Sequence, residues 1–149
     1  MKPLSIRFNA AIMTMANKVC PAGWDVDNST APTSLAMLQD HVARTGRILV
    51  DGRHSDRTIF GCPEHNWAFR AWHDWTHLAI RAEFSLDGEL AVAHRQIEDL
   101  CRVFGHSEDT RLWSRYIMAE VYGQALHFRD TGEFPADQVA FDLKWLQEN

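Results

Sequence analysis

Two histidines four residues apart, His73 and His77, are the residues of this chain best suited to chemistry. The stretch 66–84 has the spacing of a helix, and residues four apart lie one above the other on one helical face. That face continues through three apolar residues, Phe69, Ile80 and Phe84. The pattern therefore predicts that both imidazoles point into the protein. Two stacked inward imidazoles are the usual way for one helix to offer two ligands to a metal ion.

A second predicted helix adds a carboxylate to this pair. Its inward stripe consists of Trp113, Tyr116, Ile117, Glu120, Gln124 and His127. A buried carboxylate needs a cation, a hydrogen-bond donor or a proton. A metal held by His73 and His77 would supply that cation for Glu120, and pairing with Arg70 is the alternative. We therefore take Glu120 as the third candidate ligand.

A third predicted helix supplies a further candidate ligand, His94, on a stripe with Leu90, Ile97 and Cys101. Glu98 follows His94 by four residues and is placed to orient its imidazole. Glu89 is a weaker candidate ligand, because the first turn of a helix favours acidic residues without any metal.

Two histidines and one carboxylate leave room for a metal-bound water. This donor set suits a divalent ion such as zinc or manganese in a hydrolase, and it also suits mononuclear non-haem iron. Asp74 and Glu120 are the candidate catalytic residues, Asp74 as a further ligand or as the group that steers the water. Arg70, Arg53 and Arg57 are candidates to hold an anionic small-molecule substrate. The alternative for the 53–57 segment is a solvated loop.

The elements that must position these residues are predicted to be helices. Start and stop signals indicate an all-α, single-domain bundle of five or six helices over residues 1–149. A small irregular or hairpin insert is predicted around residues 47–62, because two short β-prone pieces flank Asp51-Gly52. The first four predicted helices cover residues about 5–19, Thr33 or Ser34 to Arg44, 66–84, and 88–104, the last of these capped by Asp87. A fifth is capped by Ser107 and runs to about Asp130. The last helix begins at Pro135 and carries Val139, Leu143 and Leu146 on one face.

Composition narrows the classes of protein. The net charge of −5 and the absence of a long basic run argue against a nucleic-acid polymer as partner. No apolar run reaches the length of a membrane span, so a cytoplasmic protein is expected. The odd number of widely spaced cysteines predicts free thiols in a reducing compartment, the three being Cys20, Cys62 and Cys101. The oligomeric state is left open.

The doublet His73-Asp74 resembles the defining doublet of the HD-domain metal-dependent phosphohydrolases. Those are all-α proteins, many of which cleave phosphate esters of nucleotides, so the resemblance implies a phosphorylated or nucleotide-like substrate. The family pattern also needs an earlier histidine and a later aspartate. The residues available for these positions are His41 or His54 for the first, and Glu120 or Asp109 for the second. His73-Asp74-x-x-His77 is also similar to the short metalloprotease motif, with aspartate in place of glutamate.

Three classes of function are consistent with these residues. The leading hypothesis is a metal-dependent hydrolase with a histidine-rich site inside a helical bundle. The second is a non-haem iron oxidoreductase that uses the same ligands. The third is a non-catalytic helical interaction protein whose histidines are hydrogen-bonded core residues. Bound metal separates the first two classes from the third, and the identity of the metal separates hydrolysis from redox chemistry.

Overall fold

The computed structural model describes residues 1–149 and is 65% helix and 4% strand. The predicted all-α fold of five or six helices is confirmed. The number of helices is six, since α5, a π-helical segment and α6 follow one another without a break and count as one. The elements are α1 (Ile6–Val19), β1 (Asp25–Asp27), α2 (Leu35–Thr45), β2 (Leu49–Asp51), α3 (Pro63–Ile80), α4 (Leu86–Phe104), α5 (Glu108–Ile117), the π segment (Met118–Gly123), α6 (Gln124–Thr131) and α7 (Gln138–Glu148).

The chain forms two compact units, Met1–Phe84 and Ser85–Asn149. The first unit contains α1, α2, α3 and both strands, with α3 in contact with α1, α2 and β2. The second contains α4 to α7, with the π segment in contact with each of these helices. The single-domain organisation over residues 1–149 stays a prediction.

The strands do not form the hairpin that the 47–62 insert permits. β2 pairs instead with β1, in parallel and in register from Asp25 opposite Leu49 to Asp27 opposite Asp51. A parallel pair needs a crossover between its strands, and α2 supplies it. The hairpin alternative is therefore wrong, while the irregular alternative describes residues 52–62. Proline, glycine and asparagine around β1 made its segment look like a loop, which hid the partner strand.

The core of the first unit has α3 at its centre. A cluster of buried residues packs together, and it consists of Cys20, Leu38, Ile48, Val50 and Ala71. Trp67 and Trp75 are partly buried against this cluster, and Trp72 is fully buried. The tryptophans of α3 therefore contribute to packing. The three cysteines are free, as predicted.

Most helix ends follow the local signals. Ser5, Ser34 and Ser107 accept a hydrogen bond from a backbone N–H of the first turn, and Gly46 ends α2 in the left-handed conformation. Two predicted starts are wrong. Ser85 rather than Asp87 caps α4, and Asp137 caps α7 beyond the predicted Pro135. In both helices a nearby residue with a suitable side chain makes the capping hydrogen bond.

The second unit buries several polar side chains, namely Gln96, Asp99, Thr110, Gln124, Gln138 and Asp142. Two of these form the buried face of α7, where an apolar face of Val139, Leu143 and Leu146 was predicted, and Leu143 is exposed. The Gln124 amide donates to both carboxylate oxygens of Asp142, at 3.3 and 3.5 Å. Burial raises the pKa of Asp142, against the opposing effect of hydrogen bonds from Glu120 and Gln124.

The raised pKa of Asp142 predicts a pH-dependent stability. The protonated carboxyl stabilises the fold fully below the unfolded pKa of about 3.9, and this contribution is lost as the pH rises through the higher folded pKa. Asp142→Asn removes the titration of this residue, so the stability of the variant relative to wild type should increase as the pH rises above about 4. The gain is about 1.4 kcal/mol per unit of pKa difference.

Urea unfolding followed by circular dichroism at several pH values measures this difference. Asp130→Asn is the matched control, because Asp130 is exposed. A stability difference between wild type and Asp142→Asn that stays constant with pH would contradict the prediction.

Candidate metal centre

His77 is the most constrained residue of the predicted site. Its side chain is fully buried, and its Nδ1 lies 2.8 Å from the carbonyl oxygen of Ala82. A carbonyl only accepts hydrogen bonds, so Nδ1 carries the proton and donates it. In the neutral ring Nε2 then carries a lone pair and no proton, which is the form that binds a metal.

The end of α3 brings the Ala82 carbonyl to His77. Arg81 adopts the left-handed conformation with φ 54°, and the backbone N–H of Ala82 donates to the His77 carbonyl at 3.1 Å. The chain therefore turns back on the last turn of the helix. This turn satisfies a helix-end carbonyl and, at the same time, orients the imidazole.

His73 lies directly beside His77 on the same face of α3. The two Nε2 atoms are 3.1 Å apart, and the ring planes are nearly perpendicular at 81°. Two nitrogens bound to one tetrahedral zinc are about 3.3 Å apart, given bond lengths near 2.0–2.1 Å. The pair is therefore already close to the spacing of a chelate, and without a metal the Nε2 of His73 donates to that of His77.

Aromatic rings enclose the histidine pair within its own unit. Phe69 stacks on His73 with ring centroids 6.4 Å apart, and Phe84 lies 4.5 Å from the His77 ring. Phe69 is buried, His77 is fully buried and His73 is half-buried. This confirms the predicted inward orientation of the His73–His77 face. Apolar neighbours reduce the access of water, which strengthens electrostatic interactions at the two nitrogens.

Glu89 completes a group of three ligand-type residues. One ligand atom from each of His73, His77 and Glu89 lies within 4.8 Å of the other two, so this group could hold a metal ion. Glu89 belongs to the first turn of α4 and follows Phe84 by only five residues. From the sequence, Glu89 is a weaker candidate ligand than Glu120 and His94, because an acid in the first turn of a helix needs no metal to explain it.

His94 does not lie on the inward face of α4 that was predicted for it. The residue is exposed, and the buried residues of the helix are Val92, Ala93, Gln96, Asp99 and Leu100. The predicted stripe was wrong because two polar residues, Gln96 and Asp99, belong to the buried face. A hydrophobicity pattern counts such residues as outward. The role of His94 as a ligand stays a prediction that this orientation does not support.

Glu120 lies in the π segment, where its side chain is hydrogen-bonded to Asp142. The inward orientation of its stripe is confirmed, because Trp113, Tyr116, Ile117 and Gln124 are buried. A carboxyl pair shares a proton or a donor, so the need for a cation at Glu120 is reduced. Its roles as ligand and catalytic residue stay predictions.

The carboxylate of Asp74 acts electrostatically on the thiol of Cys20. Burial and the Asp74 carboxylate together raise the pKa of Cys20 to about 11. Cys20 belongs to the same core cluster as Ala71, which precedes Asp74 by three residues on α3. The catalytic role of Asp74 stays a prediction.

Two of the arginines that were predicted to bind substrate make hydrogen bonds to the segment at the end of β2. Arg70 donates through Nη1 to the carbonyl oxygens of Asp51 and Arg53, the latter at 2.6 Å. Arg53 pairs with the Asp51 carboxylate through Nε at 3.0 Å and Nη2 at 2.7 Å. Both side chains thus stabilise this turn, while Arg57 is exposed. Substrate binding by these arginines stays a prediction.

Comparisons with protein-family models, with curated proteins and with solved structures found no match for this chain. The resemblance to the HD-domain phosphohydrolases therefore rests on the His73-Asp74 doublet alone. No helix is both long enough and apolar enough to cross a membrane.

The contact with Ala82 predicts opposite tautomers for the two histidines in metal-free protein at pH 8. His77 should carry its proton on Nδ1 and His73 on Nε2, since each proton is fixed by its acceptor. Two-bond ¹⁵N–¹H correlation NMR distinguishes these forms. The exposed His106 serves as an internal reference for an unconstrained ring. A His77 ring protonated on Nε2 would be incompatible with the geometry.

Proposed function

We propose that this protein binds one divalent metal ion through His73, His77 and Glu89. The observation that carries the proposal is the convergence of three ligand atoms within 4.8 Å, with the two imidazole Nε2 atoms 3.1 Å apart. The Nδ1 hydrogen bond to Ala82 supports it further, because metal-binding histidines almost always donate their other N–H to a carboxylate, a carbonyl or water.

Metal and proton compete for the same atom in this site. The Nε2 of His73 donates to His77 in the metal-free form, so it must give up its proton before it can coordinate. His73 does so by moving the proton to Nδ1, and His77 needs no change. Metal binding should therefore weaken in acid, where either imidazole is protonated. The Glu89 carboxylate would neutralise one of the two positive charges of the ion.

We propose hydrolysis as the activity. Three protein ligands fill three positions, which leaves at least one position for water or substrate. When bound there, a divalent ion lowers the pKa of a coordinated water and polarises a phosphoryl or carbonyl oxygen. Asp74 and Glu120 are the carboxylates proposed to steer that water, and this part of the proposal rests on sequence reasoning.

A phosphorylated or nucleotide-like molecule is the proposed substrate. The His73-Asp74 doublet supports this class through its resemblance to the HD-domain phosphohydrolases. With a net charge of −5, the protein would repel an anion unless local cations receive it. The proposed cations are Arg57, which is exposed, and the guanidinium groups of Arg53 and Arg70.

A redox function is the second candidate, and one observation favours it. Two histidines and one carboxylate with open positions form the ligand set of mononuclear non-haem iron oxygenases. The group His73, His77 and Glu89 matches that set. The same three residues would hold iron, and the native metal decides between the two reactions.

The metal proposal predicts about one divalent ion per chain in protein purified without a histidine tag. Glu89→Gln and His73→Ala should each weaken Zn²⁺ binding about 100-fold or more, since losing even a group that only orients a ligand costs about 10–100-fold. Elemental analysis measures the content, and competition with a chromophoric chelator measures the affinity.

Matched variants test the ligand set. Glu120→Gln and His94→Ala examine the ligands suggested by sequence alone, and His106→Ala examines an exposed histidine. Circular dichroism confirms that each variant is folded. If Glu89→Gln leaves the zinc affinity unchanged and Glu120→Gln lowers it, the third ligand is Glu120 and not Glu89. No binding in wild type would refute the site and favour a non-catalytic protein.

The hydrolysis proposal predicts turnover of a nucleotide or phosphate ester by metal-loaded protein and its loss in His73→Ala. A panel of nucleotides and small phosphate esters, with phosphate release as the readout, tests it. Activity that survives in the variant would indicate a contaminating enzyme. If the wild type holds iron and releases no phosphate from any compound, the redox function replaces hydrolysis.

A further inference from the structure

A second site, separate from the residues of the metal proposal, lies between α5, the π segment and α7. A cavity of about 400 Å³ opens there, and it is lined by Ser114, Arg115, Met118, Tyr122, Trp145, Leu146 and Asn149. Cavities that bind small molecules in proteins begin at about 300 Å³. The size suits a molecule of one or two rings.

The walls of this cavity favour a planar ring. Tyr122 and Trp145 meet edge to face, with ring centroids 6.3 Å apart and planes at 88°. Two perpendicular rings form a corner in which a third ring can stack on one face and direct its edge at the other. Met118 and Leu146 add a thioether and an aliphatic side chain, which pack well against aromatic surfaces.

Arg115 provides the charge at this cavity. Its Nη2 donates to the carbonyl oxygen of Leu146, which leaves the other donors of the guanidinium unused by that contact. No ion pair of the structure involves Arg115, although the protein has a net charge of −5. Two other polar side chains of the wall are already engaged, since Ser114 donates to the carbonyl oxygen of Thr110 and the Asn149 amide donates to that of Trp145. A carboxylate is the group that a guanidinium binds best in two-pronged geometry.

The backbone beneath the cavity is unusual. Met118 and Tyr122 both belong to the π segment, Met118–Gly123, and π turns occur frequently at functional sites. The segment ends at Gly123, which is buried. A Cβ added to Gly123 would lie 2.9 Å from Cδ2 of Trp145, so the missing side chain allows the indole to pack against the helix. Trp145 therefore takes its position at the cavity only because residue 123 is glycine.

From these observations we propose that the cavity binds a small planar aromatic carboxylate. Its ring lies in the corner formed by Tyr122 and Trp145, and its carboxylate accepts hydrogen bonds from Arg115. The site needs no metal ion, and it stands independently of the proposed hydrolase or redox function.

The experiment uses 2-naphthoate as probe and its uncharged analogue 2-naphthamide as comparison, both with metal-free protein so that no carboxylate can coordinate an ion. Protein-observed NMR titration gives the affinity and the location. We expect the indole resonance of Trp145 and the ring resonances of Tyr122 to shift. We also expect 2-naphthoate to bind about tenfold more tightly than the amide, because one charge-assisted hydrogen bond contributes about that much affinity.

Two variants separate recognition from folding. Arg115→Met should weaken 2-naphthoate binding about tenfold and leave the binding of the amide unchanged, because only the carboxylate contact is lost. Arg111→Met, at an exposed arginine one turn earlier on α5, should change neither affinity. No shifts at Trp145 and Tyr122 up to millimolar probe, or equal loss of both probes in Arg115→Met, would overturn the proposal.

Discussion

The hydrogen bond from His77 Nδ1 to the carbonyl oxygen of Ala82 is the interaction on which the candidate metal centre depends. It fixes the imidazole plane, selects the tautomer and leaves Nε2 directed at His73. Because the side chain is fully buried, an unpaired Nδ1–H at this position would cost about 1–3 kcal/mol. The left-handed Arg81 is what returns the chain to make this bond, so a local backbone turn determines the chemistry of a residue four positions earlier.

Different faces of α3 make different contacts. One face presents the histidine pair between Phe69 and Phe84. Another holds the turn after β2, where Asn66 and Trp67 both donate to the Ser55 hydroxyl, at 2.9 and 3.0 Å. A helix that is anchored on several sides has few ways to rotate. The spacing of the two Nε2 atoms is therefore preorganised, which lowers the entropy that a metal ion would have to overcome.

The second unit follows a different rule, because polar residues occupy much of its interior. Asp142 is fully buried and hydrogen-bonded by Gln124, and Glu120 reaches it from the π segment. A buried polar network is tolerable only when its members are satisfied, and it restricts which helix faces can turn inward. The same π segment places Met118 and Tyr122 at the cavity beside α7, so one irregular stretch of helix serves both the buried network and the cavity.

Local signals in the amino-acid sequence predicted much of the helical framework. The four-residue spacing of His73 and His77, the apolar residues around them and the capping serines act within one or two turns of a helix. These features need no knowledge of distant parts of the chain. The inward orientation of both histidines and the starts of α1, α2 and α5 were therefore predicted correctly.

Tertiary structure decided what depends on partners far away in sequence. β2 pairs with β1 across an intervening helix, and a pairing across that distance leaves no periodic trace in either strand. The buried face of α4 was predicted wrongly because Gln96 and Asp99 belong to it, with Asp99 paired to Arg95 and Arg102, and His94 lies outside that face. The group formed by Glu89 with the histidine pair depends on the path of the chain after α3. Residue types and spacing reveal which atoms are able to bind a metal, whereas only the folded chain determines which of them come within reach of one another.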